Sequence, residues 1–356
     1  MSNFENPACY RFVKRSDFFI FTLLMISGEL IRPMDYPRPV IVVSKCLGFD
    51  HCRYNGAIIE DRFVAKLGTF VDYRPVCPEV AIGLGIPRDP VRIVVDGGER
   101  HLFQPATERD VTEEMRGFTY HYLSGVEGVD GFLLKNRSPS CGPRDVKIYE
   151  GFHKTASAVM GSGIFGGAVI ERLKGKAIED EGRLRNFTIR ENFLMRIFTL
   201  ARYREVRNKA SIQGLVDFHT RNKFLLMAFN QSRMRELGRI VANHRDFGRT
   251  PEGALSHYGE NLEVLLDRIP RFTSIINVLM HMFGGFKDLL SADEKRFFLN
   301  SIEEYRDERI PLSVILHTLE AWAIGSKNQY LLNQTFLRPY PRDLVEITDS
   351  GKGRKY

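Results

Sequence analysis

The segment Val40-Ile41-Val42-Val43-Ser44-Lys45-Cys46-Leu47-Gly48 decides how the first half of the chain folds. Four consecutive β-branched residues favour the extended state, and an apolar run without polar alternation suits a strand covered on both faces. Outward from it, Ala57 to Leu67 has helical spacing. Short extended runs follow at Val71 to Val76, Val91 to Val95, Gly131 to Leu134 and Val146 to Tyr149. Thr107 to Leu123 and Ile164 to Leu173 read as helices among them, with Thr112 as a cap ahead of Glu114. This alternation predicts an α/β domain with an open, mostly parallel sheet and helices on both faces.

The pattern changes from about Phe187. Apolar positions at a 3.6-residue period predict helices over Phe193 to Val206, Ile212 to Phe229, Ser232 to Asn243, Glu252 to Leu266 and Phe272 to Phe283. Ala292 to Asp307, Pro311 to Ile324 and Asn328 to Leu332 follow, with Pro270 and Gly284-Gly285 as breaks. The expected division is an N-terminal extension over 1–37, an α/β domain over 38–188, an all-α helical domain over 189–347 and a flexible tail over 348–356. In the extension, Lys14 and Arg15 precede an apolar run from Phe18 to Ile26 that is too short to span a bilayer. Glu29 and Arg32 follow it with no small-residue cleavage site, so either Met34 is the expected working start or the leader is a loose appendage, and the expected location is cytoplasmic, with no membrane partner.

The 356 residues are 43% apolar and 27% charged, which excludes a disordered chain, and they suffice for two cores. Charge is unevenly spread. Residues 189–356 carry 26 Lys and Arg against 20 Asp and Glu, while the front half is nearly balanced. The window Arg196 to Arg245 holds eleven basic residues and three acidic ones, Glu205, Asp217 and Glu236. That excess points to a polyanionic partner, or to a solvated helix face that keeps the protein soluble.

Five scattered cysteines are too few for a secreted disulfide scaffold, so the thiols are free for metal or chemistry, or are simply buried. Three share one setting: Cys46 follows the first strand, Cys77 follows Val71 to Val76, and Cys141 lies beyond Gly131 to Leu134. Carboxyl ends of parallel strands form the ligand crevice, so these three thiols are expected to converge. Each sits in a tight turn, Cys46-Leu47-Gly48, Cys77-Pro78-Glu79 and Ser138-Pro139-Ser140-Cys141-Gly142. Thiolates in such turns favour iron–sulfur or zinc.

At these residues the chain resembles the thiouracil desulfidase (TudS) family across roughly Pro39 to Lys174. The matching segments are Ser44-Lys45-Cys46-Leu47-Gly48, Cys52-Arg53-Tyr54-Asn55-Gly56, Val76-Cys77-Pro78-Glu79-Val80 and Leu134-Lys135-Asn136-Arg137-Ser138-Pro139-Ser140-Cys141-Gly142. The back half resembles the YbgA-type helical domain through Phe218-His219-Thr220-Arg221-Asn222-Lys223, Asn277-Val278-Leu279-Met280-His281 and Tyr330-Leu331-Leu332-Asn333-Gln334 with Pro339-Tyr340-Pro341. The fusion is similar to the RudS desulfidases, which remove sulfur from 4-thiouridine in transfer RNA.

The resemblance implies a 4Fe–4S cluster held by Cys46, Cys77 and Cys141 with one iron open. It implies catalytic roles for Glu79 and Ser138, and substrate contacts for Ser44, Arg53, Tyr54, Asn55 and Lys135. Asn55 departs from the aspartate usual in the family. Cys52 is not expected as a ligand, and Cys9 carries no expected role. The implied reaction exchanges C=S for C=O without net electron transfer, with Glu79 handling the proton of attacking water. Transfer RNA is the implied partner, and the charge excess of the basic window makes Arg221, Lys223, Arg233, Arg235 and Arg239 its expected contacts.

Two other functions compete. One is a desulfidase of free thiolated bases whose helical domain serves assembly. The other is a non-catalytic transfer-RNA-binding protein with structural zinc, which the lack of a fourth ligand opposes. Gly161-Ser162-Gly163-Ile164-Phe165-Gly166 spells a dinucleotide fingerprint but comes late in its domain, so it reads as a tight start to a helix near the cluster. His219 and His281 read as packing or capping residues rather than ligands.

Overall fold

The β-branched run from Val40 forms a strand whose alternate side chains enter two different cores. In this computed structural model, residues 36–346 are described except 154, 248 and 249. Cys9, the Phe18–Ile26 run, most of the 1–37 extension and the 348–356 tail lie outside the described residues. Among the described residues the strands are β1 (Val40–Ser44), β2 (Asp72–Val76), β3 (Arg92–Asp96), β4 (Glu99–Gln104), β5 (Arg109–Asp110), β6 (Gly131–Leu134), β7 (Val146–Glu150), β8 (Ala158–Gly161) and β9 (Ala177–Asp180). A parallel sheet has the order β2-β1-β6-β9. Ile41 and Val43 face one side of it and Val42 the other, all fully buried, which is why the run shows no polar alternation.

The expected open parallel sheet is therefore present, but two of its expected strands lie elsewhere. β3 and β7 belong to a second, mixed sheet of order β5-β4-β3-β7-β8. Gly97 and Gly98 both take positive φ, and this two-residue turn folds β3 back on an antiparallel β4. β3 and β7 pair in parallel, and their apolar residues Ile93, Val146 and Ile148 pack under the far face of the first sheet.

The front helices are α1 (Arg62–Leu67), α2 (Pro78–Ala81), α3 (Thr112–Ser124) and α4 (Ile164–Arg172). The helix expected from Ala57 starts five residues late. The Asp61 carboxylate accepts from the amides of Phe63 and Val64 and caps it there, while the Ile59 amide instead pairs with the Cys46 carbonyl at 2.8 Å. Likewise the helix expected from Thr107 begins at Thr112, since Arg109–Asp110 pairs with β4 and the Asp110 side chain receives the Thr112 amide.

The remaining helices are α5 (Phe187–Asn208), α6 (Ile212–Phe229), α7 (Gln231–Ala242), α8 (Pro251–Leu266), α9 (Phe272–Gly284), α10 (Ala292–Arg306), α11 (Leu312–Gly325) and α12 (Gln329–Leu332). The expected helices are all there. α5 begins earlier than its apolar period suggests because Asn186 accepts from the Ile189 amide. Among the described residues no helix is long and apolar enough to cross a membrane.

α5 serves two cores at once. Ile189, Phe193, Ile197 and Phe198 pack on β1 and β6, while Leu200 and Tyr203 join the helical core around Tyr258 and Phe218. Its arginines are committed to this junction. Arg196 donates to the Gly175 and Lys176 carbonyls, and Arg202 donates to the Pro339 carbonyl and lies over the Tyr36 ring. Arg204 pairs with buried Asp130 at 3.0 Å and donates to the Arg38 carbonyl. Asp130 in turn accepts the Val40 amide, so this pair pins the start of β1 and of β6 to α5.

Removing Arg204 would leave the Asp130 carboxylate buried and unpaired. Arg204→Ala is expected to destabilise by about 3–5 kcal/mol in urea titrations, the usual scale for breaking one side of a buried pair. Combining Asp130→Asn with Arg204→Met should restore most of the loss, since the asparagine oxygen still accepts the Val40 amide.

Candidate functional site

The carboxyl ends of the four parallel strands are stitched together one by one. The Lys45 amide donates to the Val76 carbonyl at 2.8 Å, joining the ends of β1 and β2. The Lys135 amide donates to Ser44 Oγ at 2.8 Å, joining β1 to β6. Glu181, just past β9, accepts from the Asn136 amide at 2.9 Å and from Lys135 Nζ at 2.6 Å. β1 runs to β2 on one side while β6 lies on its other side, so this edge is a topological switch point, where a crevice opens between loops leaving in opposite directions.

The cysteines are delivered to that edge. Cys46 lies two residues past β1 and Cys77 immediately past β2, where it begins α2 with Pro78 in the first turn. Cys141 is buried in the loop after β6, its amide donating to Ser138 Oγ at 3.0 Å. Cys52, which the sequence leaves without a role, is in the same constellation. It is buried, and Cys77 Sγ lies 3.9 Å from the Cys52 carbonyl oxygen.

Three of these thiols, Cys52, Cys77 and Cys141, resist ionisation. The Cys46 thiol beside it, set against an opposing hydrogen bond from Cys77, and then burial push Cys52 up to about 11. Contact with Cys52 and then burial push Cys77 higher, and burial raises Cys141. Thiols crowded and buried in this way are a donor set that a thiophilic metal group relieves by taking their protons' place. Among the described residues no three His, Cys, Asp or Glu side chains close on a single-ion site. The thiols ring the edge rather than gather on one point.

Glu79, two residues past Cys77, is held from both sides. Arg88 Nε and Nη2 donate to Oε2 at 2.9 and 2.5 Å, and Ser140 Oγ donates to Oε1. Both members of the ion pair are nearly buried, with 12% of the Glu79 side chain and 5% of the Arg88 side chain exposed. Arg88 Nη1 also donates to the Cys52 carbonyl at 3.0 Å, and its amide to the Tyr54 carbonyl at 2.7 Å. One guanidinium thus ties together the loops that carry Cys52, Cys77 and, through Ser140, Cys141.

The other expected site residues fall in three groups. Ser44 is buried and commits its oxygen to the Lys135 amide, while the Lys135 side chain is paired with Glu181. Arg53 lies over the exposed Tyr54 ring, 5.6 Å from its centroid, on the loop above the cysteines. Asn55 is exposed and caps its own turn by accepting from the Ala57 amide. Arg88, Ser140 and Glu181 were missed by sequence reasoning. Ser140 stands within a quoted motif and was within reach, but nothing local marks Arg88 among its neighbours.

The glycine-rich segment before α4 does lie against the site. The amides of Gly163, Ile164 and Gly166 donate to the carbonyls of Gly142, Pro139 and Ser140. A Cβ at Gly166 would stand 2.3 Å from the Cys141 carbonyl oxygen, so only glycine permits this approach.

In the helical region, Arg221 and Lys223 on α6 and Arg235 and Arg239 on α7 are exposed, and Arg233 is half-buried. Among the described residues none of the five is in an ion pair closer than 4.0 Å. Between the two exposed α6 cations, Asn222 is buried and accepts from Thr335 Oγ1, while Gln334 donates to the Thr220 carbonyl. The two quoted helical motifs therefore form a clasp. His219 packs on Tyr258 at 3.0 Å with burial holding it neutral, its value lowered to about 4, as the packing role anticipates. His281 is exposed on α9.

Comparison with known proteins divides the chain at much the same place. A family model described as 2-thiouracil desulfurase matches residues 41–181, and one described as a protein of unknown function (DUF1722) matches residues 223–341. Protein YbbK of Bacillus subtilis (strain 168) is 34% identical over 133 residues, covering 35% of this chain and 85% of its own. Protein YbgA of Escherichia coli (strain K12) is 26% identical over 162 residues, covering 45% of this chain and 95% of its own. The solved [4Fe-4S]-dependent thiouracil desulfidase TudS is 30% identical, with a TM-score of 0.34, over 41% of this chain and 93% of its own.

Gly166→Ala is expected to push the Cys141 loop outward, destabilise by about 1–3 kcal/mol and speed alkylation of Cys141 by a thiol reagent. Gly117→Ala, at an open position in α3, is the control. It should be neutral or stabilise by up to about 1 kcal/mol, with unchanged thiol reactivity.

Proposed function

We propose that this chain, which belongs to the 2-thiouracil desulfurase family through residues 41–181, removes sulfur from 4-thiouridine in transfer RNA by exchanging C=S for C=O. The observation that carries the reading is a buried, fully partnered carboxylate, Glu79, set among thiols at a switch-point crevice. Cys46, Cys77 and Cys141 would hold a 4Fe–4S cluster, with Cys52 outside the ligand set. When bound, the cluster supplies a soft Lewis acid that polarises a thiocarbonyl.

The rest belongs to the protein. A thiocarbonyl and water give a carbonyl and hydrogen sulfide, so no electrons are exchanged and protons must be handled. Glu79 accepts the proton of attacking water on a carboxylate oxygen and returns it to the departing sulfur. Arg88 keeps that carboxylate aimed and compensates its charge, and Ser140 bonds its other oxygen. Ser138 accepts the Cys141 amide, which leaves its hydroxyl hydrogen free for substrate or thiol.

The exposed, unpaired cations of α6 and α7 support a polyanionic substrate. Arg196, Arg202 and Arg204, which swell the basic window, are committed to the α5 junction and do not count toward it. The family description favours a second reading, in which the substrate is a free thiolated base and the helical region serves assembly.

Anaerobic purification should yield a brown protein that converts 4-thiouridine to uridine within total transfer RNA and releases sulfide. Cys46→Ala, Cys77→Ala and Cys141→Ala should lose chromophore and turnover together, and a colourless, fully active Cys77→Ala protein sinks the proposal. Glu79→Gln should keep the chromophore and lose about two to four orders of magnitude in rate. Turnover of transfer RNA should fall steeply with salt through counterion release. Reversing the charges of Arg221, Lys223, Arg235 and Arg239 should slow it while sparing 4-thiouracil. Salt-insensitive turnover that survives the reversals favours the free-base reading.

A further inference from the structure

A separate cavity of about 510 Å³ runs along α4, walled by α3 and β4, and neither Glu79 nor any cysteine lines it. Its charge is one-sided. Arg100 of β4, Arg116 of α3 and Arg172 at the end of α4 face Glu171, the one carboxylate among the described lining residues. Arg100 and Arg172 are in no ion pair among the described residues. Arg116 meets Glu113 at 2.7 Å, but that carboxylate is 80% exposed and offsets little of the charge.

The cavity offers two kinds of contact. Arg116 Nη2 donates to the Arg100 carbonyl at 3.3 Å, and Arg100 Nη2 lies 3.8 Å from where a Gly161 Cβ would stand, so both cations gather near the start of α4. One turn along α3, about 6 Å on, the Arg172 guanidinium lies 5.1 Å from the centroid of the Tyr120 ring, which is 56% exposed. Thr119 lines the cavity beside Tyr120, is 4% exposed, and its Oγ1 has no hydrogen-bond partner among the described residues. A helical threonine ordinarily bonds a carbonyl of the preceding turn, so this hydroxyl carries an unmet bond that costs stability. The amides of Gly163, Ile164 and Gly166 are spent on residues 139–142, which leaves the arginines as the donors for an anion.

We propose that this cavity binds a nucleotide, its phosphate between Arg100 and Arg116, its base on Tyr120 beside Arg172, and its sugar within reach of the Thr119 hydroxyl. Guanidinium forks match phosphate oxygens, and an exposed aromatic ring stacks a base of any kind. The nucleotide is free or is one unit of an RNA chain. Nothing here rests on the proposed function, since the cysteine site takes no part.

The test titrates the full chain with adenosine 5′-monophosphate, inorganic phosphate and unmodified transfer RNA. Arg100→Met with Arg116→Met should weaken both small probes by about tenfold or more. Tyr120→Ala should weaken the nucleotide by about fivefold or more and leave inorganic phosphate unchanged. Thr119→Val should weaken the nucleotide by about two- to tenfold while thermal stability holds or rises. Arg306→Met, an exposed arginine of α10, is the control and should change nothing. Transfer RNA that displaces the nucleotide, or whose own affinity falls in these variants, identifies the ligand as a unit of RNA. Nucleotide binding that transfer RNA leaves undisturbed identifies a free nucleotide. Binding of all three probes that survives the arginine and Tyr120 substitutions overturns the proposal, as does nucleotide binding absent in the wild-type chain with transfer RNA affinity unchanged in the variants. Phosphate binding indifferent to Tyr120, with no gain from the nucleoside, reduces the cavity to an anion site and also overturns it.

Discussion

The Arg88–Glu79 ion pair is the contact on which the site depends. Two opposite charges sit almost out of water, where each alone would cost several kcal/mol, so neither tolerates loss of the other. Because the guanidinium also binds the Cys52 carbonyl and the carboxylate also binds Ser140, satisfying the pair requires three loops to close together. A carboxylate beside thiols is thereby oriented before any substrate arrives. Such pre-organisation is the structural requirement for a general base that works without rearrangement.

The strand-end stitching explains why loops of unrelated length leave the sheet from one edge. Hydrogen bonds from Lys45, Lys135 and Asn136 lock the ends of four parallel strands, and Cys46 and Cys77 lie within two residues of those ends. Cys141 is farther from its strand and needs a second support. The backbone of the glycine-rich segment before α4 provides it by lying against residues 139–142. A motif that resembles a nucleotide cradle is used here to brace a cysteine loop.

α5 shows how a charge count misleads when burial is unknown. Arg196 and Arg202 have their affinity for protons lowered to about 10 by burial, and they remain cations that serve carbonyls and an aromatic ring. Arg204 neutralises Asp130. The basic character left for a polyanion is therefore concentrated on α6 and α7. There Met234, Leu237 and Ile240 turn inward at three-residue spacing, and Arg235 and Arg239 share the outer side.

Local signals carried the element types and the chemistry. The β-branched run at Val40, the 3.6-residue periods after Phe187 and the cysteines beyond β1, β2 and β6 were legible in the sequence, because strand or helix preference and side-chain chemistry are properties of residues and their near neighbours. Where helices began was legible less well, because one hydrogen bond from Asp61 or Asn186 outweighs several residues of weak propensity. The division into two sheets turned on a Gly97-Gly98 hairpin that was in the sequence but not read as one. Only the tertiary structure decided that Arg88 pairs with Glu79, that Ser140 completes it, that Cys77 approaches the Cys52 carbonyl, and which arginines of the basic window face solvent. Those choices depend on which loops meet in space, and sequence spacing carries no record of that meeting until burial and register have made it.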